Sequence, residues 1–284
     1  MPEKPSFAFD YSKEQAELVR GTCLYVATKL GDLLDELVVV GGLVPSLLIP
    51  VESLQKGENS HVGTMDLDLG LSLGMLNADR YEELTGRLRR AGFEPDVNEA
   101  GNPTFQRWKI GASGRLKATI DFLIPPSHEQ EEGGKIRHLE KDFAAVITPG
   151  LHLAFQDRQE ILLEGSTILR EKASRDIWVC GPGAFIVLKV LAFGTRGENK
   201  DAYDLYYVLR NYGSEIQDVV SHIKPILCDQ KVREALQLLR RDFSDPGGVG
   251  PRRVAQFLHT GHNVELQADV AGFVRELLRQ CKLP

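Results

Sequence analysis

The chain has 284 residues, 42% hydrophobic and 26% charged, with a formal net charge of −6. That is enough to bury a core in one large domain or two modest ones, and it excludes a chain that is basic over its whole surface, so any nucleic-acid contact would be local. The four cysteines, Cys23, Cys180, Cys228 and Cys281, are dispersed and form no C-x-x-C pair, which argues against a zinc site and against a disulfide-stapled secreted fold.

In chain order, Ser12 to Leu37 is predicted as helix, because Leu18, Thr22, Tyr25, Val26, Leu30, Leu33 and Leu37 recur near helical period. Glu36 to Val40 reads as a short buried strand. Gly41 and Gly42 end it, and Leu43 to Leu48 opens a short helix that Pro50 stops. Glu52 to Gly63 is polar and reads as a loop. Thr64 to Leu69 alternates as a strand, and Asn77 is placed to cap a helix from Ala78 to Ala91, ended by Gly92. Strands follow near Thr104 to Ile110 and Leu116 to Ile124, with the turn GASG making them a hairpin. Glu129 to Lys135 is a surface loop, and Phe143 to Ile168 holds further strand candidates, including LHLAF and EILLE.

From Phe185 onward nearly everything has helical period, with breaks at GTRGEN, at Asn211 to Ser214 and at SDPGGVGPRR. The fold class expected is α/β: a mixed sheet in residues 1–180, followed by a helical C-terminal part in residues 181–284. The opening MPEKPSFAFD is polar and mixed, and no apolar run is long enough to span a bilayer. A cytoplasmic protein with no membrane contact is therefore expected.

Successive strand side chains alternate between faces. Met65, Leu67 and Leu69 thus share one face of MDLDL, while Thr64, Asp66 and Asp68 share the other. Two carboxylates at that spacing can converge on a divalent cation such as Mg2+, which prefers hard oxygen ligands. The bland alternative is the wet face of a half-exposed strand. In KATIDFLI, Asp121 is a lone carboxylate on an apolar strand. Burying it alone would be costly. Either a metal shared with Asp66 and Asp68 or an ion pair to Arg107 or Lys109 of the neighbouring strand would remove that cost.

The glycines of VVVGG permit a sharp turn and close approach to the backbone. Amides there could hold phosphate oxygens, and Ser46 could add a hydroxyl; a plain turn is the competing reading. On the helix around Phe185 to Thr195, Lys189 lies between Phe185 and Phe193, and Arg196 is seven residues on. Two cations on one side suit a triphosphate, whereas a lysine snorkelling from a core helix is the alternative. Asp201, Asp204, Leu205 and Val208 share the next helical face, with Lys200 beside them. Tyr203, Tyr206 and Tyr207 read as packing residues.

Together these elements resemble the DNA-polymerase-β-like nucleotidyltransferase superfamily: a strand ending in G-G, the h-D-h-D-h pattern at Asp66 and Asp68, and a third aspartate at Asp121 on a later strand. FIVLKVLAFGTRGENKDAYDLYYVLR, from Phe185 to Arg210, is similar to the K-x-x-A-x-x-x-R and K-D-x-x-D-L pattern of the AbiEii family, which includes the MenT group of bacterial toxins. Thr64, Asp66 and Asp68 fit the T-x-D-h-D motif of that family. The arginine that often precedes that threonine is missing from its usual place, where His61 and Gly63 stand. The resemblance covers roughly residues 35 to 212.

It implies a polymerase-β-like core and a nucleotidyltransferase activity that moves NMP from an NTP to an acceptor hydroxyl. It implies metal ligation by Asp66, Asp68 and Asp121. It also implies NTP contacts at Gly41, Gly42, Ser46, Thr64, Lys189, Arg196, Lys200 and Asp201, and a position for Asp204 near the lysine. Likeness to the MenT group implies the 3′ end of tRNA as acceptor and a toxin with a separately encoded antitoxin. A protein side chain or an aminoglycoside is the alternative acceptor, and a binding module with a relic nucleotide site is the non-enzymatic alternative. Basic patches that could meet RNA are the helix of Arg87, Arg89 and Arg90, which reads more simply as a solvated face, and Arg252 with Arg253.

Overall fold

The computed structural model describes residues 5–72, 78–111, 117–128, 130–259 and 261–281. The expected Asn77 cap and GASG turn fall on residues 73–77 and 112–116, outside the described residues, as do Leu116 and Glu129. The chain packs as two units. The first comprises Ser12–Val44 and Gly63–Cys180, and the second comprises Pro5–Tyr11, Pro45–Val62 and the chain from Gly181 onward. The fold is α/β, with a mixed sheet in the first unit and helices in the second.

In the first unit, α1 (Lys13–Leu30) starts where the Ser12 side chain accepts from the Gln15 amide, which satisfies one of the orphan donors of a helix start. It ends seven residues before the spacing suggested. Gly31 takes φ +55 and a 3-10 stretch, Gly31–Glu36, leads into β1 (Leu37–Val40). Leu33 and Leu37 remain buried, so the apolar period persisted across a change of conformation.

The other strands are β2 (Leu67–Leu71), β3 (Glu94–Val97), β4 (Pro103–Gly111), β5 (Lys117–Ile124), β6 (Ile136–Glu140), β7 (Phe143–Ile147), β8 (Arg158–Ser166) and β9 (Lys172–Cys180). Their order in the sheet is β3-β4-β5-β2-β1-β9-β8, with β7 pairing β5 and β6. β1–β2 and β4–β5 are antiparallel, and β2–β5 is parallel. Under the sheet, Trp108, Phe122 and Phe143 are fully buried, and Phe143 meets the other two edge-on with centroids 6.3 and 5.0 Å away. Truncating one such ring costs about 3–5 kcal/mol.

Two first-unit helices flank this core. The first is α3 (Ala78–Arg90), closed by Gly92 at φ +88. The second is the short α4 (Leu153–Gln156). LHLAF is therefore not a strand. Amides of Leu153 and Ala154 bond back to Gly150 and Leu151, and the buried pair Leu151 and Ala154 sits at helical spacing. EILLE does form β8. β3, with the sequence EPDV, has no apolar alternation; its membership of the sheet comes from backbone pairing with β4.

A short helix, α2 (Val44–Leu48), follows the glycine turn. The second unit continues with α5 (Pro182–Arg196), α6 (Asn199–Asn211), α7 (Ile216–Ile223), α8 (Gln230–Phe243), α9 (Val249–Phe257) and α10 (Val264–Gln280). The break at SDPGGVGPRR is shorter than its composition suggests, because α9 already includes Pro251 in its first turn, where a missing amide hydrogen costs little. Among the described residues no helix is long and apolar enough to cross a membrane.

Candidate functional site

Sheet register builds one row of side chains in the first unit. Val40 of β1 pairs Asp68 of β2, Asp68 pairs Asp121 of β5, and Asp121 pairs Arg107 of β4. Paired residues on adjacent strands point to the same face. Asp68, Asp121 and Arg107 therefore emerge side by side. Asp66 lies one residue before β2.

The three carboxylates each offer an oxygen, and these oxygens all lie within 4.8 Å of one another. Asp66 is buried, and Asp68 and Asp121 are half-buried. The Thr64 hydroxyl donates to Asp66 Oδ1 at 3.2 Å and is itself buried. The glycine turn abuts the same acids. Gly41 has φ +71, and a Cβ there would fall 1.9 Å from Asp68 Oδ2, so both its conformation and its neighbour demand glycine.

Arg107 lies among these acids. Its Nε donates to Asp121 Oδ1 at 2.6 Å, its Nη2 bonds Asp121 Oδ2, and the same Nη2 is 3.4 Å from Asp66 Oδ2. The Asp121 hydrogen bonds raise the guanidinium above its ordinary pKa, against the pull of burial and with help from Asp66 and Asp68. Both readings of Asp121 thus coexist: it is ion-paired to Arg107 and it is grouped with the other acids. Lys109 pairs instead with Glu94 and Asp96.

Three carboxylates facing one guanidinium leave the row anionic. Like charges about 5 Å apart repel by on the order of 3 kcal/mol at an effective dielectric of about 20. An all-oxygen donor set that is partly open fits a hard divalent cation. Asp66, Asp68 and Asp121 are the residues that could hold it.

A second cluster lies in the second unit. Lys189 of α5 is 3.0 Å from Asp201 Oδ1 and 2.7 Å from Asp204 Oδ2, both on α6. Lys200 Nζ donates to Asp204 Oδ1 at 2.6 Å, and Arg196 Nε to Asp201 Oδ2 at 2.6 Å. His61 Nε2 meets Asp204 Oδ1 at 2.8 Å. Burial opposes ionisation of Asp204, yet Lys189, Lys200 and His61 hold its carboxyl well below the usual range. Burial would likewise lower the Lys189 amine, but Asp204 and Asp201 outweigh it and raise it. Burial, then Lys200, brings His61 down to about 4.

The expected site residues are therefore distributed in a definite way. Gly41, Gly42, Thr64, Asp66, Asp68 and Asp121 belong to the first unit. Ser46, Lys189, Arg196, Lys200, Asp201 and Asp204 belong to the second. Lys189 spends its charge on two carboxylates and is only 9% exposed at its side chain, whereas Arg196 is 49% exposed. Asp201 does not cap α6; its oxygens receive Lys189 and Arg196. His61 was legible only as the occupant of an arginine's place. No period or motif marks a histidine in a polar loop as a buried partner of an acid 143 residues away.

No family model matches the chain. No curated protein matches it either. Among solved structures the chain is similar to an antigenic nucleotidyltransferase-like protein from Paracoccidioides brasiliensis, at 18% identity and a TM-score of 0.41, over 78% of this chain and 88% of that one. A likeness this distant says nothing of activity.

Proposed function

We propose that the protein is a metal-dependent nucleotidyltransferase that moves NMP from an NTP to an acceptor hydroxyl. The observation that carries this reading is the convergence of Asp66, Asp68 and Asp121 directly beside the side-chain-free Gly41 turn. The three aspartates would hold a divalent cation, Mg2+ in the cell, which when bound supplies positive charge against the phosphates and acidifies the acceptor hydroxyl. For the half-buried Gly41 and the buried Gly42 a backbone contact to the donor's phosphate oxygens is proposed. Asp121, held at both oxygens by Arg107, is proposed to complete the metal site and help activate the acceptor hydroxyl. Thr64 holds the Asp66 carboxylate in place. Of the helical cations, Arg196 is exposed over half its side chain while pairing with Asp201, and a phosphate contact is proposed for it. Lys189 acts by holding Asp201 and Asp204. Catalysis of this kind is mostly positioning and electrostatics.

For the acceptor the reading is the 3′ end of tRNA, and for the role a growth-arresting toxin with its own antitoxin. The support is the motif likeness at Thr64 to Asp68 and at Phe185 to Arg210. Incubation with α-labelled NTPs and, separately, tRNA, protein and aminoglycoside acceptors tests both levels. Label should appear on tRNA with the wild type, and Asp68→Ala should lower the rate by about 10²-fold or more. Label on protein or drug alone would sink the tRNA reading. Transfer that survives intact in Asp68→Ala would sink the site.

A further inference from the structure

Cations crowd the ends of α1 and α3 in the first unit. Lys29 lies in the last turn of α1, and Arg87, Arg89 and Arg90 lie in the last turn of α3. A basic side chain there is ordinary, because it answers the carbonyls that end a helix. What each one meets decides whether it is needed for that. Arg87 is: it donates to the Leu30 carbonyl at the end of α1, and it pairs with Asp32 at 2.7 Å and with Glu83 one turn back. Arg89 lies over the Trp108 ring, 5.3 Å from its centroid, and reaches Asp142 at 3.5 Å. Lys29 and Arg90 are left over. Both are exposed, and neither pairs with a carboxylate among the described residues. Lys29 instead sits over the Tyr25 ring, 5.1 Å from its centroid.

Lys29, Arg87 and Arg90 surround a cleft of about 280 Å³ whose other walls are Tyr25 and Ala91. No acid is among these lining residues. The cleft is preformed, because its two helix ends are tied together twice: the Tyr25 hydroxyl donates to the Ala91 carbonyl at 3.0 Å, and Arg87 to that of Leu30. Small-molecule pockets of about 300–1,000 Å³ are mostly apolar and enclose their ligand. This cleft is smaller and its walls are charged, so a base or a sugar gains little in it. A phosphodiester gains two cations with no competing acid, a point charge from Lys29 and a planar fork from Arg90. On a chain with a net charge of −6, a nucleic acid needs a local basic contact of this kind.

We propose that the cleft between the ends of α1 and α3 is a contact site for the phosphate backbone of RNA, carried by Lys29 and Arg90. This rests on the reading of RNA as the acceptor, but not on the metal site. The test is filter binding of end-labelled tRNA to the full chain in EDTA, between about 50 and 200 mM salt. Lys29→Gln and Arg90→Gln should each shrink the slope of log affinity against log salt by about 1, and together by about 2. Lys29→Arg with Arg90→Lys keeps both charges and should keep the slope. Lys231→Gln with Arg279→Gln removes the same charge from cations that pair with Glu234 and Glu276, and should also leave the slope as in the wild type. A folded Lys29→Gln/Arg90→Gln protein with the wild-type slope overturns the cleft and leaves the RNA acceptor standing. An equal drop in Lys231→Gln/Arg279→Gln overturns it too, since the effect is then one of overall charge. A wild type that does not bind tRNA overturns both readings. A poly-glutamate peptide that binds the wild type as tightly as tRNA, and loses that affinity in Lys29→Gln/Arg90→Gln, assigns the cleft to an acidic protein and overturns the proposal.

Discussion

The acidic row of the sheet and the buried cluster of the helices are built from the same side chains, yet their charge balances are opposite. In the row, three aspartates face one arginine, and two of the aspartates are half-buried. In the cluster, Asp201 and Asp204 meet Lys189, Lys200 and Arg196, with His61 closing the remaining side. A buried group whose charge is answered by its neighbours holds a structure together. A partly open group of carboxylates gathered on one guanidinium is a place for something that arrives from solution. The contrast teaches that an acid's partners, more than its burial, separate a scaffold carboxylate from a ligand carboxylate.

That contrast can be broken at several points. The largest effect is expected at Asp204. Asp204→Ala takes from Lys200 the carboxylate it bonds, leaves Lys189 with Asp201 alone and opens a buried gap beside His61, and chemical denaturation should report a loss of about 3 kcal/mol. A loss under about 1 kcal/mol would mean that the cluster is not the internal brace described.

Next comes acid. His61 is lowered from 6.5 to about 4, so between those values the unfolded chain binds more protons than the folded one. The stability contributed by neutral His61 is whole above about pH 6.5 and is lost as pH falls toward 4. Denaturation curves taken across that window should slope downward with acid, by on the order of 3 kcal/mol in total. His61→Gln should flatten the slope. Asp204, held well below 3.8, loses its share only at lower pH.

The smallest effect sharpens the other half. Arg107→Met removes the guanidinium that pairs with Asp121 and lies 3.4 Å from Asp66. In chelator the variant should be less stable by about 1–2 kcal/mol, a partly exposed pair being worth less than a buried one. With saturating Mn2+ its melting temperature should rise by more than that of the wild type, because the added cation then replaces the charge that Arg107 supplied to Asp66 and Asp121. An equal rise in both proteins would mean that the row does not take up the ion.

Period and alternation were enough to put Asp68 and Asp121 on strands, but the strand expected from Thr64 begins only at Leu67, so Thr64 and Asp66 lie in the segment before it. Asp121 in KATIDFLI and Asp68 in MDLDL stood out as polar positions in apolar strands, and the sheet register brings them together. The helices after Cys180 were equally legible, because each carries an apolar stripe. What escaped was whatever depends on contacts between distant segments. β3 has no pattern of its own and exists through its partner. LHLAF has apolar residues that suit either a strand or a turn of helix, and the backbone bonds from Gly150 and Leu151 decided it. Lys189 could be read as a cation for phosphate because nothing in one dimension shows that Asp201 and Asp204 already surround it. The polar stretch before the acids had the composition of a loop, while the carboxylate that bonds its His61 lies on a helix encoded much later.

That separation along the chain has a consequence for birth on the ribosome. Asp66, Asp68, Arg107 and Asp121, the members of the acidic row, are all made by the time β5 ends at Ile124. His61 meets Asp204 across 143 residues. At about 5–20 residues per second, its partner is synthesised roughly 7 to 30 seconds after it. Throughout that interval the acids are already made while His61 still awaits the carboxylate it will bond, so the row of the sheet is synthesised well before the helical cluster can close.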